Sequence, residues 1–167
     1  MNKLKKLGKT MKKTNAIREL EMNKIRHVVR EYEVDEDNLD ALSVAIKTNE
    51  DVTKVFKTLV LLNEKKEMIV ACIPGIEKVD LKKLAKLSGS KKVEMLAMKD
   101  LFSYTGYLRG GCSPVGIKKK HKTFIHESAY DNEKILISGG LRGLQIEIEP
   151  KLLIDYLKII VGDIVEI

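Results

Sequence analysis

The chain has 167 residues, of which 44% are hydrophobic and 33% charged, values that fit one globular domain. No apolar run reaches the roughly 18 residues of a membrane span, and the first ten residues, MNKLKKLGKT, lack the apolar stretch of a secretory signal. The two cysteines, Cys72 and Cys112, fit neither a disulfide framework nor a zinc cluster. We therefore expect a soluble, cytoplasmic protein.

The positive charge is concentrated at the start of the chain. The formal net charge is +7, but residues 1–13 contain six lysines and no acidic residue, which leaves 25 basic and 24 acidic side chains in the remainder. We interpret residues 1–13 as a basic arm and residues 14–167 as the folded domain. The arm could contact phosphates, with release of counterions, or be a disordered solubilising leader, and composition favours neither reading.

The first half of the chain predicts two helices and three strands. Thr14 can cap a helix that carries Ile17 and Leu20 on one face, and residues 27–32 alternate as a strand does. The acidic segment 33–40 leads into a helix, after which Asn49 can cap a short turn. The β-rich runs 55–62 and 68–73 predict a hairpin that ends at Pro74 and Gly75 and forms the centre of the sheet.

The second half alternates in the same way between helices and strands. Asp80 can cap the helix LKKLAKLS, and Gly89 can end it. A strand at 93–96, a helical turn at 99–104 and strands at 123–126 and 134–138 follow. Residues 144–149 alternate apolar Leu144, Ile146 and Ile148 with polar side chains, as a strand does, and Pro150 begins a last helix that runs to residue 160. The pattern predicts a single α/β domain with a mixed sheet.

Lys57 is the most informative charge in the sequence. It lies inside the apolar run 55–62, where burial of an ammonium is costly unless the side chain borders a cleft or has a partner. By alternation it shares a strand face with Val55 and Leu59. A lysine on an edge strand that reaches into water is an equally good explanation from these residues alone.

Two glycine-rich segments could approach a ligand closely. The segment TGYLRGGCSPVG at 105–116 has four glycines and one proline, and its amides could stabilise an oxyanion in acyl transfer. It matches none of the nucleotide-binding glycine motifs. The turn SGGLRG at 138–143 carries Arg142, which could bind a phosphate or simply be exposed.

Other chemistry is less well supported. Cys112 has no histidine near it in sequence, so it is a poor candidate for a nucleophile. His27, His121 and His126 have no spacing typical of metal ligands, and we expect neither a metal nor another cofactor. The lysine-rich run 118–122 is typical of a solvated loop, although it could contact an RNA backbone.

Four segments together resemble the YbaK/EbsC family of Cys-tRNA(Pro) deacylases, which is related to the editing domain of prolyl-tRNA synthetase. Their order and spacing match the family: VFKTLV at 55–60, LKKLAKLSGSKKVEM at 81–95, TGYLRGGCSPVG at 105–116 and SGGLRGLQIEI at 138–148. The likeness runs from about Thr14 nearly to the C-terminus. It implies a YbaK-like fold, a compact mixed β-sheet or barrel with surrounding helices.

The resemblance also implies site residues. Lys57 matches the lysine of the family's KTL motif, and Gly110 with Pro114 matches the GxxxP loop that lies over the aminoacyl ester. The amides of Gly110, Gly111 and Cys112 would stabilise the developing oxyanion. The remaining implied substrate-binding positions are Tyr32, Phe56, Thr58, Gly106, Tyr107, Ser113, Ser138, Gly139, Gly140, Arg142, Gly143 and Gln145.

The implied activity is hydrolysis of Cys-tRNA(Pro), and of Cys-tRNA(Cys), with prolyl-tRNA synthetase as a partner. In a YbaK-like reaction the thiol of the attached cysteine attacks its own ester, so the protein needs no nucleophile. Gln145 departs from the family, because many relatives have an aspartate there. A deacylase for Ala-tRNA(Pro) or another small residue, and a non-catalytic module that binds tRNA or a synthetase, remain alternatives.

Overall fold

The computed structural model describes residues 13–167, and within them the chain forms five α-helices and eight β-strands. One sheet has three antiparallel strands in the order β1–β7–β6, which are Val28–Glu31, Leu144–Ile148 and Ile135–Ser138. The other has five strands in the order β4–β2–β3–β5–β8, which are Val93–Met95, Phe56–Asn63, Met68–Pro74, His121–His126 and Ile160–Gly162. The predicted α/β class with a mixed sheet is confirmed.

Two of the helices begin at the caps that the sequence predicts, Thr14 and Asp80. The helices are α1 (Asn15–Met22), α2 (Ala41–Thr48), α3 (Leu81–Ser88), α4 (Leu101–Thr105) and α5 (Pro150–Leu157), with short 3-10 segments at Val52–Lys54, Met98–Asp100 and Glu127–Asp131. Thr14 Oγ1 accepts a hydrogen bond from the Ile17 amide at 3.1 Å, and Asp80 Oδ1 accepts from the amides of Lys82 and Lys83 at 3.0 Å each. None of the helices in this part of the chain is long and apolar enough to cross a membrane.

The predicted hairpin of β2 and β3 is the centre of the five-stranded sheet. Its antiparallel register places Lys57 opposite Ile73 and Thr58 opposite Cys72. The two faces of β2 pack into different clusters, since Phe56 and Val60 belong to the main core and Leu61 belongs to the cluster that α3 covers. The start of β2 therefore lies where the two sheets meet, and a parallel bridge between Val55 and Leu136 joins them there.

Two local predictions were wrong. Asn49 does not cap the turn that follows it, because it ends α2 in a left-handed conformation, and Asp51 caps the 3-10 segment instead. The last helix does not reach residue 160. Lys158 ends it, and Ile160–Gly162 pairs in parallel with β5 as β8.

The strand predicted at 144–149 is observed as β7, and its polar side chains are buried together with its apolar ones. Its polar residues Gln145 and Glu147 are only 4% and 9% exposed, because β7 is the central strand of its sheet and both of its faces are covered. The Glu147 carboxylate is compensated by Arg30, whose Nη2 lies 2.9 Å from Glu147 Oε2, and Arg30 also pairs with Glu50. The side-chain carbonyl oxygen of Gln145, in contrast, has no hydrogen-bond partner among the described residues.

The predicted arm, residues 1–13, lies outside the described residues except for Lys13, whose Nζ pairs with Glu21 Oε1 at 2.8 Å.

Candidate active site

A cavity of about 180 Å³ opens at the start of β2, between the two sheets. Residues from β2, from the β6–β7 hairpin, from the approach to α2 and from the glycine loop 105–116 form its walls. The predicted site residues among them are Tyr32, Phe56, Lys57, Thr58, Gly110, Cys112, Ser138 and Gln145. The sequence therefore identified about half of the lining, and the fold brings these residues together.

The rest of the lining is apolar and was not predicted. It consists of Leu39, Ala41, Val44, Val55, Leu136, Ile137 and Leu144. Nothing distinguishes these side chains from ordinary core residues in the sequence. They border the cavity only because the Val55–Leu136 bridge sets one sheet against the other.

Lys57 is the cationic residue of the cavity wall. Its side chain is half-buried, and within the part of the chain that the structure describes it forms no ion pair or hydrogen bond. Burial lowers the pKa of the Lys57 ammonium, while the Glu77 carboxylate acts in the opposite direction. A half-buried ammonium without an ion-pair partner can interact with an electron-rich ligand in the cavity. Of the two explanations for Lys57, this favours a lysine that borders a cleft over an edge-strand lysine that reaches into water.

Two residues of the cavity wall each have a side-chain oxygen that is buried without a hydrogen-bond partner among residues 13–167. They are the Gln145 side-chain carbonyl oxygen, Oε1, and the Thr58 hydroxyl oxygen, which has the weakly hydrogen-bonding Cys72 thiol as a neighbour. A buried polar group left unpaired costs roughly 1–3 kcal/mol, so native proteins seldom keep one without a use. Both atoms can accept a hydrogen bond from a ligand, and the hydroxyl can also donate one.

Arg142 fastens the glycine loop to the β6–β7 turn. Its Nε donates to the backbone carbonyl of Arg109 at 2.8 Å, and its Nη1 donates to Glu36 Oε2 at 2.5 Å. Gly110 has φ +82°, and a methyl group on it would lie 2.9 Å from Arg142 Nε. The guanidinium that the sequence offered to a phosphate thus makes contacts within the protein.

The three loop amides implied as oxyanion donors are not equivalent. The Gly111 amide already donates to the Leu108 carbonyl at 2.9 Å, and Gly111 does not border the cavity. The amides of Gly110 and Cys112 have no acceptor among the described residues, and both residues do border the cavity. Of the three implied donors, two therefore remain without a partner in this part of the chain.

Cys112 lies beside the cavity, but its thiol is poorly suited to nucleophilic attack. Burial raises the pKa of Cys112 to about 12, so very little thiolate exists at neutral pH. Within residues 13–167, no group of three His, Cys, Asp or Glu side chains is arranged to hold a metal ion.

Several predicted site residues support the loop and do not line the cavity. Tyr107 is 3% exposed, and its hydroxyl donates to the Val115 carbonyl at 2.5 Å. Gly139 accepts a hydrogen bond from Thr14 Oγ1 at 2.6 Å through its carbonyl oxygen. The other predicted positions outside the lining are Gly106, Gly111, Ser113, Pro114, Gly140, Arg142 and Gly143. Their small size or fixed hydrogen bonds let the loop and the turn pack closely.

The fold and the cavity define a single-domain α/β protein with a small pocket bounded by a lysine, unpaired backbone amides and buried polar oxygens. The chain belongs to the aminoacyl-tRNA editing domain family, whose model matches residues 36–156. It is 49% identical over 143 residues to EbsC of Enterococcus faecalis, named there as a proposed Cys-tRNA(Pro)/Cys-tRNA(Cys) deacylase, with 86% of this chain and 87% of that protein covered. The resemblance to the YbaK/EbsC family is confirmed.

Two crystal structures share the fold. One is of a hypothetical protein, with a TM-score of 0.84, 18% identity and coverage of 91% of this chain and 99% of the other. The second is of a protein described as a proposed trans-editing enzyme for prolyl-tRNA synthetase, with a TM-score of 0.76, 22% identity and coverage of 90% and 92%. At these identities the likeness extends to the fold alone.

Proposed function

We propose that the chain is an aminoacyl-tRNA deacylase that hydrolyses Cys-tRNA(Pro) and Cys-tRNA(Cys). The observation that carries the proposal is the cavity beside Lys57, where a cation without an ion-pair partner in the described chain lies among unpaired buried polar atoms. Family membership supplies the reaction class, and the name of the Enterococcus relative supplies the amino acid.

The reaction needs no protein nucleophile. In the proposed step the thiol sulfur of the attached cysteine forms a bond to its own ester carbonyl carbon, and the bond from that carbon to the tRNA oxygen breaks. The thiol proton ends on the released tRNA hydroxyl, and the cysteine leaves as a cyclic thiolactone that water can open. The raised pKa of Cys112 fits a mechanism in which the protein's own thiol stays protonated.

The protein then contributes position and charge. In this proposal the amides of Gly110 and Cys112 donate to the carbonyl oxygen as it becomes negative, and Lys57 stabilises the same charge or the oxygens of the terminal adenosine; the position of all three residues in the cavity lining supports these roles. Thr58 Oγ1 and Gln145 Oε1 can accept hydrogen bonds from the α-ammonium group of the amino acid. Each atom thus gains the partner that it lacks in the protein.

The size of the cavity supports a small amino acid. About 180 Å³ is less than the roughly 300–1,000 Å³ of drug-sized ligand pockets, which favours a small amino acid as the substrate. Because alanine is also a small amino acid, an Ala-tRNA(Pro) deacylase is the second candidate.

Gln145 bears on the third candidate. Its side-chain amide accepts hydrogen bonds without a charge, so it binds an ammonium group more weakly than aspartate would. A non-catalytic tRNA-binding module is the third, because Gln145 replaces a carboxylate in the pocket.

A panel of purified aminoacyl-tRNAs tests the proposal and separates these candidates. We expect hydrolysis of Cys-tRNA(Pro) in the presence of EDTA, and little hydrolysis of a matched Ser-tRNA, whose hydroxyl is a weaker nucleophile than a thiol. Preferential release of alanine would identify the second candidate. Binding of tRNA without release of any amino acid would reject both enzymatic candidates and identify a non-catalytic tRNA-binding module.

We further propose that the enzyme acts in the cytoplasm, where tRNAs are charged, and works with prolyl-tRNA synthetase. The name of the Enterococcus relative supports this partner, because prolyl-tRNA synthetase is the enzyme that charges tRNA(Pro). Hydrolysis of Cys-tRNA(Pro) that becomes faster when the synthetase is added, but not when an unrelated synthetase is added, would support this partnership.

A further inference from the structure

The positive charge of the folded residues is gathered at one end of the five-stranded sheet. Segments 63–67, 88–94 and 118–122 together contain eight lysines and three glutamates, and we call them the lysine surface. The remainder of residues 14–167 contains 17 basic and 21 acidic side chains, so it is net negative. The almost neutral total for the domain therefore hides a strong separation of charge.

The three segments are brought together by the fold. They line a groove of about 400 Å³ formed by the β2–β3 turn, the end of α3 and the start of β5. The Lys91 amide donates to Glu64 Oε1 at 3.0 Å, which joins two of the segments. In the third segment, 118–122, the Lys119 Nζ lies 4.2 Å from the centre of the Tyr104 ring, which lines the same groove.

Most of these lysines are available to a ligand. All eight are exposed, and within residues 13–167 only Lys66 and Lys92 form ion pairs, both with Glu94, at 3.7 and 4.0 Å. Exposed ion pairs of this kind are weak, so they would not hold the two ammonium groups away from an anion. Five of the eight line the groove, namely Lys65, Lys66, Lys119, Lys120 and Lys122, and such a concentration of ammonium groups is suited to a polyanion.

The lysine surface lies apart from the candidate active site. Lys57 borders the cavity near the start of β2, whereas Asn63 ends the strand in the lysine groove. Six residues of strand separate them, or about 20 Å at roughly 3.3 Å per residue. A nucleic acid strand carries a phosphate about every 3.4 Å along a duplex, so several nucleotides span this distance.

We propose that the lysine surface binds the phosphate backbone of the tRNA whose 3′ end enters the cavity beside Lys57. The proposal rests on the proposed function for the identity of the RNA. It assigns to this surface an affinity that depends on phosphate charge and not on base sequence. The single-stranded 3′ end would bridge the gap between the two sites.

A triple variant tests the surface, with a matched triple as its control. Lys65→Ala, Lys120→Ala and Lys122→Ala together remove three exposed ammonium groups from the lysine surface, and none of the three forms an ion pair in the described chain. The control, Lys78→Ala, Lys134→Ala and Lys151→Ala, removes three exposed lysines from elsewhere. Both are made in the full-length protein, and circular dichroism checks that both remain folded.

The first measurement is the affinity for uncharged tRNA at several salt concentrations. We expect the surface triple to bind about tenfold or more weakly at 100 mM salt, with the slope of log affinity against log salt reduced by about 2 to 3, while the control triple stays close to wild type. Equal losses in the two triples, or no loss in the surface triple, would overturn the proposal. So would wild-type binding to vesicles of anionic phospholipid without binding to tRNA.

A second measurement distinguishes failure of the surface from failure of the proposed function. Cysteinyl-adenosine carries the ester without any phosphate, so the surface triple should cleave it as fast as wild type and yet show a raised KM for Cys-tRNA(Pro). Equal effects on both substrates would contradict a backbone-binding role. If wild type cleaves neither, the proposed function fails, and the tRNA affinities of the two triples still decide the role of the surface.

Discussion

The Arg142 side chain donates to the backbone carbonyl of Arg109 at 2.8 Å, so the turn 138–143 holds the loop that carries Gly110 over the cavity. We therefore propose that Arg142 positions the loop. The same guanidinium reaches Glu36, so it links three segments that are far apart in sequence.

Replacement of Arg142 should therefore affect catalysis through the loop. Loss of a hydrogen bond from a charged group costs roughly 1.5–3 kcal/mol, so we expect Arg142→Ala to lower kcat for Cys-tRNA(Pro) by about tenfold to a hundredfold with a smaller change in KM. Arg142→Lys should not restore it, because lysine lacks the forked donor geometry. Arg109→Ala is the control, since the acceptor is the backbone carbonyl, and it should keep near wild-type rates. A raised KM with unchanged kcat in Arg142→Ala would instead indicate substrate binding.

Gly110 allows a test of the loop backbone. Its φ of +82° and the 2.9 Å approach to Arg142 Nε predict that Gly110→Ala moves the loop and abolishes most of the activity. Gly89→Ala is a matched control, because Gly89 has φ +69° but no heavy atom within 4 Å of an added methyl group. We expect the control to lose roughly 1–2 kcal/mol of unfolding free energy and to retain activity. Chemical denaturation and deacylation rates measure the two effects, and equal activity in the two variants would reject this account of the loop.

We expect the Thr58 hydroxyl to lower the stability of the folded protein and to contribute to deacylation. Because the buried hydroxyl has at most the weakly hydrogen-bonding Cys72 thiol beside it in the described chain, Thr58→Val is expected to leave the unfolding free energy unchanged or to raise it by about 1 kcal/mol while slowing deacylation. Thr53→Val, at an exposed position that lies outside the cavity lining, should leave the rate unchanged. If Thr58→Val instead loses stability and keeps full activity, the hydroxyl has a structural partner and no substrate contact.

The thiol of Cys112 should be unreactive at neutral pH. Its pKa of about 12 leaves about one thiolate in 10,000 at pH 8, because the group is protonated below its pKa and the thiolate fraction grows as pH rises towards that value. Alkylation by iodoacetamide is expected to be far slower than for free cysteine at pH 8 and to accelerate up to about pH 12. Cys112→Ser should retain deacylation, and loss of activity in that variant would restore Cys112 as a nucleophile.

The elements that the sequence predicted well are those fixed by local contacts. Thr14 and Asp80 cap their helices through amides three or fewer residues away, and β2 with β3 forms a hairpin across a short turn. The strand β8 was missed because it pairs with β5, from which it is far in sequence. The burial of the polar side chains of β7 depends likewise on strands that are distant in sequence, because β1 and β6 flank it.

The candidate site divides in the same way. Lys57 could be identified from the sequence alone, because a charged side chain in an apolar strand is costly to bury without a function. Gly110 and Gln145 were identified by the resemblance to the family. The apolar lining, such as Val44 and Leu136, carries no such signal, since a core residue and a pocket residue of the same type look alike in sequence. That Gln145 would be buried without a partner for its carbonyl oxygen could be known only from the packing of the two sheets.

The central claim is that the ammonium of Lys57 stabilises the reacting ester, and the deacylation rate of Lys57→Ala tests it most directly. We expect the rate on Cys-tRNA(Pro) to fall by about a hundredfold or more, as when one charge-stabilising group is removed from an acyl-transfer site, while circular dichroism stays unchanged. Lys54→Ala, three residues away and outside the cavity lining, should keep the wild-type rate. A folded Lys57→Ala protein with the wild-type rate would contradict the account.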